Sequence, residues 1–285
     1  MKIVIAGRGR LAVRGAHLFD LLARVTRDDA SLECLVAQGD NGTGGSSDGG
    51  RPSLRRAALD NGWPIHENLS EIGSGPSDLL VSLQYPAIVR MPELGGARAV
   101  NLHFSLLPRH RGSLTCYWPV IGREKTAGVT LHVMTRGVDE GPIIAARSFP
   151  LPEFTSAGAI FEMFQDHAFE LLAAHARAVL DGTYAAVPQA DPGTAAHRRA
   201  DVDFGATEIT DFARPTAVVR AEILAMVFPG HQLPTVRGRS VRNAYPLPDI
   251  GRPGRNPIGA ILAETKEVAV VSCADGLLCV EYLGE

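Results

Sequence analysis

The sequence predicts an α/β protein: a mostly parallel sheet with helices on both faces, followed by a small C-terminal β-barrel. Over the first two thirds of the chain, short apolar runs alternate with amphipathic stretches, which is the pattern of parallel strands joined by helices. In the last third, short strand-like runs are separated by Gly and Pro turns, which favours a small antiparallel barrel. The 285 residues suffice for one large domain and a smaller companion.

The elements of the first part follow from hydrophobic periodicity. Buried strands are expected near Ile3–Ala6, Leu32–Ala37, Leu79–Ser82, Ala99–Leu102, Val129–Met134 and Ile143–Ser148. Helices are expected at Val13–Arg24, Ser53–Asn61 and Ser156–Leu180. The third helix carries apolar residues at helical spacing, and Thr155 or Ser156 would cap it. Together these elements predict a Rossmann-like sheet.

The second part begins after a change in composition at Val187–Asp203, which contains Pro and Gly and predicts a linker. A helix near Arg214–Met226 follows. Short strands are expected at Leu233–Arg237, Ser240–Ala244, Ile258–Ala263, Val268–Ser272 and Leu277–Tyr282. We therefore predict a first domain at 1–186, a linker at 187–207 and an OB-like barrel domain at 208–285.

The composition is that of an ordinary globular protein, with 45% hydrophobic and 21% charged residues and a formal net charge of −3. This balance excludes a strong general attraction to polyanions. The four cysteines form no CxxC pair, which is typical of reduced thiols. Neither a secretion signal nor a run of about 18 apolar residues occurs, so we expect a soluble, cytoplasmic protein with no membrane partner.

The most informative stretch begins at Asn101. Asn101 and His103 stand two residues apart at the end of a predicted strand, so their side chains should point to the same side. Asp139 follows the next strand, in a turn between two glycines. Ligands of open parallel sheets bind beyond the carboxyl ends of the strands. We therefore expect the three side chains to converge in one site.

An amide, an imidazole and a carboxylate suffice for acyl transfer to an amine without a covalent nucleophile. The Asn101 amide would donate to the developing oxyanion, together with a protonated His103, whose ring titrates near neutral pH. Asp139 would orient that ring and help to remove the amine proton. In the alternative interpretation, each residue has a local structural role in a turn or a partly buried hydrogen bond. The spacing of the set favours the catalytic interpretation.

These residues resemble the folate-dependent formyltransferases, the family that includes methionyl-tRNA, glycinamide ribonucleotide and amino-sugar formyltransferases. The resemblance is strong over about residues 77–150, weak before them and moderate in the tail. The family's catalytic asparagine, histidine and aspartate fall on Asn101, His103 and Asp139. The resemblance implies an N-formyltransferase that uses N10-formyltetrahydrofolate as co-substrate. We expect no metal, because the histidines lack HxH and HExxH spacing.

The resemblance also implies binding residues. For the folate these are Ser82, Gln84, Tyr85, Ile88, Leu106, Leu107, Pro108, Val138 and Gly141. For the acceptor substrate they are Ser105, Arg109, His110 and Arg111. The aromatic residues Tyr85, Tyr117 and Trp118 are candidate walls of the acceptor pocket, and a place in the core is an equally good interpretation of them. His110 departs from the family, which usually places an aromatic residue before Arg-Gly. Four arginines, Arg8, Arg10, Arg109 and Arg111, either bind a phosphate or the glutamate tail of folate, or are simply solvated.

The charge distribution bears on the acceptor. Members of the family that act on tRNA carry a basic insertion after the second strand and a basic C-terminal barrel. Here Gly39–Gly50 holds two Asp and no Lys or Arg, and residues 186–285 hold ten Lys or Arg against twelve Asp or Glu. Phosphate contacts dominate nucleic-acid affinity, so we do not expect a nucleic-acid partner. A small primary amine is predicted, first a nucleotide-linked amino sugar and second an amino-acid-derived metabolite.

Three alternatives stay open at this point. The tail at Ile209–Pro215 and Phe228–Gly230 resembles the barrel of methionyl-tRNA formyltransferases. A formyltetrahydrofolate hydrolase would use the same three residues with water as acceptor, and a binding protein would hold folate without turnover. The candidate assembly is a homodimer. The glycine-rich stretch Asp40–Gly50 is expected to be a mobile surface loop.

Overall fold

The larger sheet of the protein is mostly parallel. A computed structural model describes residues 1–26, 29–40, 52–73, 75–190, 195–248 and 257–284. Seven strands among these residues form the sheet: β1 (Lys2–Gly7), β2 (Ser31–Val36), β3 (Ile65–His66), β4 (Leu79–Leu83), β5 (Arg98–His103), β6 (Thr126–Val133) and β7 (Ile143–Pro150). Their order is β3-β2-β1-β4-β5-β6-β7. The first five are parallel, and β6 runs antiparallel to β5, which confirms the predicted fold class.

The helices of the protein are distributed along the described chain. Five are described: α1 (Gly9–Thr26), α2 (Leu54–Asn61), α3 (Trp118–Ile121), α4 (Ala157–Asp181) and α5 (Thr216–Met226). All residues of β1 from Ile3 to Ala6 are buried. Because successive strand residues point to opposite faces, both faces of β1 are covered. Of the two residues expected to cap α4, Ser156 does so, since its hydroxyl accepts from the Ala159 N–H at 3.2 Å.

Some boundaries differ from those expected. Strand β3 was not predicted, because two residues are too few to show a periodicity. Helix α1 begins at Gly9 rather than Val13, since its first residues are Gly and Arg and the apolar pattern starts only at Leu11. The predicted strand cores are otherwise present, and shifts of a few residues at element ends are ordinary.

The C-terminal part forms a second, antiparallel sheet. Its strands among the described residues are β8 (Thr235–Val236), β9 (Arg239–Leu247), β10 (Ile261–Glu264), β11 (Val268–Ser272) and β12 (Leu277–Tyr282), in the order β10-β11-β12-β9-β8. Every second residue of β12 is buried, which is the pattern of a strand with one face on a core. Val219 and Ile223 of α5 belong to the same apolar core. The sheet agrees with the predicted barrel-like domain.

Two of these strands are shorter than predicted. Strand β8 covers Thr235–Val236 instead of Leu233–Arg237, because Pro234 has no N–H to pair and Gly238 turns the chain at φ +73°. Strand β10 begins at Ile261 instead of Ile258, since Gly259 adopts φ +80° in a turn. Local backbone geometry, which periodicity does not register, sets these ends.

Contacts within the chain divide it into two compact units. The first contains Met1–Gly112, Gly128–Ser148 and Phe164–Ala196, and the second contains Ser113–Ala127, Phe149–Met163 and His197–Glu285. The domain boundaries at 1–186, 187–207 and 208–285 stay a prediction. Apart from Asp40, whose carboxylate accepts from the Leu54 N–H at 2.9 Å, the glycine-rich loop lies outside the described residues. None of the helices among the described residues is long and apolar enough to cross a membrane.

Candidate active site

Polar side chains gather at the end of β5 in the first unit. Asn101 and His103 are two residues apart on this strand, so they share one of its faces. Antiparallel pairing sets His132 of β6 directly opposite Asn101. Parallel pairing sets Ser82 of β4 on the other side of Asn101. Asp139 lies in the loop that leads from β6 to β7. Strand pairing and one loop therefore build the site.

The three predicted catalytic side chains meet. Nδ1 of His103 lies 3.4 Å from Oδ2 of Asp139, and Nδ2 of Asn101 donates to Oδ1 of Asp139 at 3.4 Å. The carboxylate thus stands between the amide and the imidazole. Both contacts are longer than is usual for hydrogen bonds of charged groups. The Asn101 amide and the His103 ring can therefore form a shorter hydrogen bond with another group.

The turn that carries Asp139 is restrained. Asp139 adopts φ +53°, in the left-handed region that L residues rarely occupy. A side chain at Gly141 would place its Cβ 1.7 Å from the carbonyl oxygen of Val133, so only glycine fits there. The Gly112 N–H donates to Oδ2 of Asp139 at 2.8 Å. Backbone strain at a defined side chain is typical of functional sites.

Asp139 is ionised in this environment. Burial acts to raise its pKa, but the facing His103, the nearby His132 ring and the hydrogen bond from the Gly112 N–H outweigh burial and hold the pKa at about 2. The carboxylate is therefore negative at any physiological pH.

His103 is buried and its pKa is lowered. Burial is the largest cause, and it outweighs the opposing effects of the Asp139 charge and of the hydrogen bond to the carbonyl of His110. The ring nitrogen Nε2 lies 2.9 Å from that carbonyl oxygen, so Nε2 carries a hydrogen and donates it. The direction of this shift favours the neutral imidazole, whereas the sequence analysis expects a protonated ring.

His132 belongs to the site, although the sequence analysis gave it no catalytic role. Its Nε2 lies 3.1 Å from Nδ2 of Asn101 and 3.5 Å from Oδ1 of Asp139, and its Nδ1 lies 3.0 Å from the carbonyl oxygen of Val133. Donation from Nδ1 to the carbonyl leaves Nε2 as an acceptor for the Asn101 amide, which orients that amide. The position of His132 opposite Asn101 depends on the antiparallel pairing of β6, which periodicity alone does not reveal.

The loop after β5 carries several predicted substrate residues. The Ser105 hydroxyl donates to the Arg109 carbonyl at 2.6 Å, and Thr130 donates to the Ser105 carbonyl at 2.7 Å, so β6 anchors the loop. Arg109 is exposed, and His110 adopts φ +50°. Arg111 is buried and donates to Glu140 at 2.6 Å. Ser105 and Arg111 thus make contacts within the protein.

The predicted folate residues lie near the ends of β4, β5 and β6. Gln84 adopts φ +62°, and its Oε1 accepts from Nε2 of Gln165 at 3.0 Å. Residues of the set differ in exposure: Ser82, Leu107 and Gly141 are buried, Tyr85, Leu106 and Pro108 are partly buried, and Ile88 and Val138 are exposed. Their role in binding folate stays a prediction.

Four other candidate residues lie on or next to helices α1 and α3. Tyr117 and Trp118 belong to the second unit, where Trp118 stacks on His197 with ring centroids 3.9 Å apart. Of the arginines near the start of α1, Arg8 is exposed and Arg10 pairs with Asp166 at 3.4 Å. No cluster of three metal-ligating side chains occurs among the residues that the structure describes.

The known proteins whose sequences are similar to this chain are formyltransferases. A formyl transferase family model matches residues 67–175, which include all three predicted catalytic residues. The methionyl-tRNA formyltransferase of Halorhodospira halophila is 32% identical over 151 residues, or 50% of this chain and 49% of that protein. The one from Burkholderia multivorans is 31% identical over 240 residues, or 81% of this chain and 70% of that protein. The chain thus matches about half of the first relative and more than two thirds of the second.

Solved structures share the fold. WlaRD, a sugar 3N-formyl transferase, has a TM-score of 0.84 at 21% identity, covering 100% of this chain and 98% of that one. An N-formyltransferase from Helicobacter canadensis has a TM-score of 0.83 at 22% identity, covering 99% of this chain and 100% of that one. With the relatives above, and with an asparagine, a histidine and an aspartate meeting where the resemblance requires them, the chain belongs to the folate-dependent formyltransferase family.

Proposed function

We propose that this protein transfers a formyl group from N10-formyltetrahydrofolate to the primary amine of a small molecule, with a nucleotide-linked amino sugar as the first candidate. The observation that carries the proposal is the convergence of Asn101, His103 and Asp139 at the end of β5. The fold neighbours WlaRD and the Helicobacter canadensis enzyme were crystallised with formyl-folate compounds and with dTDP or dTDP-3-aminofucose.

His103 and Asp139 together accept the proton that the amine loses. With a hydrogen on Nε2, the neutral ring of His103 directs its Nδ1 lone pair at the ionised Asp139 carboxylate, 3.4 Å away. Two acceptors that face each other are stabilised by one added proton. Because the Gly112 N–H donates to the Asp139 carboxylate and stabilises its charged form, we assign that proton to His103. The pair therefore acts as a general base while the new C–N bond forms.

Asn101 stabilises the oxyanion that develops on the formyl oxygen. Its Nδ2 is held by His132 at 3.1 Å, while its contact with Asp139 at 3.4 Å is the weaker of the two. The hydrogen that faces Asp139 is available to a substrate oxygen, and the newly protonated His103 adds positive charge nearby. When the bond from the formyl carbon to N10 breaks, His103 returns its proton to the departing nitrogen, and the proton balance closes.

The charge of the chain supports a small acceptor rather than tRNA. Curated relatives are methionyl-tRNA formyltransferases, which makes tRNA the second candidate. Residues 186–285 carry two more acidic than basic residues, a poor match to a polyanion. An amino-acid-derived amine would also suit this charge. We further propose that the protein acts in the cytoplasm and forms a homodimer.

The test is a comparison of acceptors. Purified protein is incubated with N10-formyltetrahydrofolate and, separately, with dTDP-3-aminofucose, other amino-sugar nucleotides, amino-acid-derived amines, methionyl-tRNA or buffer. Tetrahydrofolate release and the mass of the product are measured. We expect release only with a small amine, with a product heavier by one formyl group. Formylation of methionyl-tRNA alone, formate release in buffer at the full rate, or folate binding without turnover would each overturn the proposal.

A further inference from the structure

The segment that follows α4 returns to the predicted active site. The Ile143 N–H donates to the Val187 carbonyl at 2.7 Å, and the Val187 N–H donates to the Ile143 carbonyl at 2.8 Å. Ile143 begins β7, two residues after Gly141. This antiparallel bridge fixes residues 187–189 beside the turn of Asp139. The sequence had assigned them to a linker.

Gln189 uses this position to hold the turn. Its Nε2 donates to the Asp139 carbonyl at 2.9 Å and to the Gly141 carbonyl at 2.7 Å. Carbonyl oxygens only accept hydrogen bonds, so the amide nitrogen must face them. Its Oε1 is buried and has no partner among the described residues. Burying an unpaired oxygen costs free energy, so the two donated bonds must account for the side chain's placement.

The Asp139 turn needs such a restraint. Asp139 adopts φ +53°, which costs free energy in any residue other than glycine, so the surrounding structure must hold it there. Gly112 holds the carboxylate, and Arg111 holds the neighbouring Glu140. Gln189 binds the backbone carbonyls on both sides of Glu140. It therefore restrains the backbone from which the Asp139 carboxylate projects toward His103.

We propose that Gln189 is a positioning residue that fixes the Asp139 turn and, through it, the distance between the Asp139 carboxylate and His103. This inference rests on the proposed function for its effect on catalysis. A displacement of about 1 Å at a catalytic group can cost on the order of 10²-fold in rate. Gln189 contacts the carbonyls of Asp139 and Gly141, and Gly141 belongs to the predicted folate set. Because the strained turn places the Asp139 carboxylate, we expect the loss of Gln189 to lower kcat by a larger factor than it raises the KM for folate.

The first test separates kcat from KM. Gln189→Met removes both donors at nearly the same volume, and Gln189→Glu keeps the shape but puts an oxygen in place of the donor nitrogen. We expect kcat to fall roughly 10- to 100-fold in both variants. In Gln189→Met, both KM values and the Tm should change little, whereas in Gln189→Glu the new carboxylate faces two carbonyl oxygens and the Tm should also fall. The matched control is Gln232→Met in the second unit, which should keep the wild-type kcat. A loss of substrate affinity by the same factor as the loss of kcat would overturn the proposal. So would a fall in the Tm of Gln189→Met that leaves the variant partly unfolded at the assay temperature.

The second test needs no turnover. The charge of Asp139 acts to raise the pKa of His103, so displacing the carboxylate should lower that pKa further. An NMR titration of His103 in the ligand-free protein measures this for wild type, Gln189→Met and Asp139→Asn. We expect both variants to move the pKa downward. If the pKa of His103 shifts in Asp139→Asn but keeps its wild-type value in Gln189→Met, the inference is wrong. This result does not depend on whether the protein catalyses the proposed transfer.

Discussion

The two compact units bury different kinds of side chain. In the described part of the chain, the buried polar residues of the first unit are Asp40, Ser53, Ser82, His103, Ser105, Arg111, Thr130, His132 and Gln165, whereas those of the second are Thr216 and Ser272. The core of the second unit is a cluster of apolar residues from α5 and the antiparallel sheet. Buried polar groups cost stability unless they are paired, so their concentration in one unit indicates function there. Apolar burial predominates in the other unit.

The largest expected effect comes from the same substitution made in each unit. Asp139→Asn removes the charge beside His103 and should lower kcat about 10²–10³-fold, since it disables the proton-accepting pair. Asp275→Asn alters the residue whose carboxylate accepts from the Thr216 N–H at 2.7 Å, at the first residue of α5, and it keeps an oxygen acceptor. We expect this second variant to retain the wild-type kcat. Steady-state kinetics on both variants measures the two values of kcat. Equal losses of kcat would contradict the assignment of the catalytic carboxylate to the first unit.

Truncating a side chain in the apolar core of the second unit should lower stability and leave kcat unchanged. Ile223 is fully buried in α5, and Ile223→Ala should lower the free energy of unfolding by about 2–5 kcal/mol. At a temperature where the variant is folded, kcat should stay at the wild-type value. Leu262→Ala, at a residue of β10 that is 39% exposed, is the control and should change stability by less than about 0.5 kcal/mol. Urea unfolding measures the free energy of unfolding of both variants, and steady-state kinetics measures their kcat. An Ile223→Ala variant with the wild-type free energy of unfolding would contradict the assigned core.

The smallest expected effect is on the pH dependence. Neutral His103 is the proposed base, and burial lowers its pKa from the ordinary value of 6.5, so kcat should decline only as pH falls below that value. Asp139 acts to raise the same pKa, so the residual activity of Asp139→Asn should persist to still lower pH. Profiles of kcat at saturating substrate measure both shifts. An acid limb above pH 6.5, or one that rises in the variant, would show that His103 works in its charged form.

The sequence predicted much of the fold because strand burial and helix periodicity are local signals. Strands β11 and β12 have the predicted ends, and Ser156 caps α4 as one of two expected residues. Strand β3 and the early start of α1 escaped prediction, since neither carries an apolar repeat. At the site, the two-residue spacing of Asn101 and His103 already implied a shared face.

Local signals could not identify the supporting contacts. His132 orients the Asn101 amide only because β6 pairs antiparallel with β5 in that register. Gln189 reaches the Asp139 turn from a segment fifty residues further along the chain. Arg111, expected to bind substrate, is paired with Glu140. Such contacts join segments that are distant in sequence, and no periodicity or motif encodes their meeting.

By itself, the sequence determined which chemical groups this protein brings to its site and that they follow neighbouring strands. The tertiary structure decided the charge state of those groups. The pKa of His103 falls because the folded chain removes it from water, and the pKa of Asp139 is held at about 2 because His103, His132 and the Gly112 N–H surround its carboxylate. Desolvation and charge interactions act through space, so they exist only once the fold has brought these residues together.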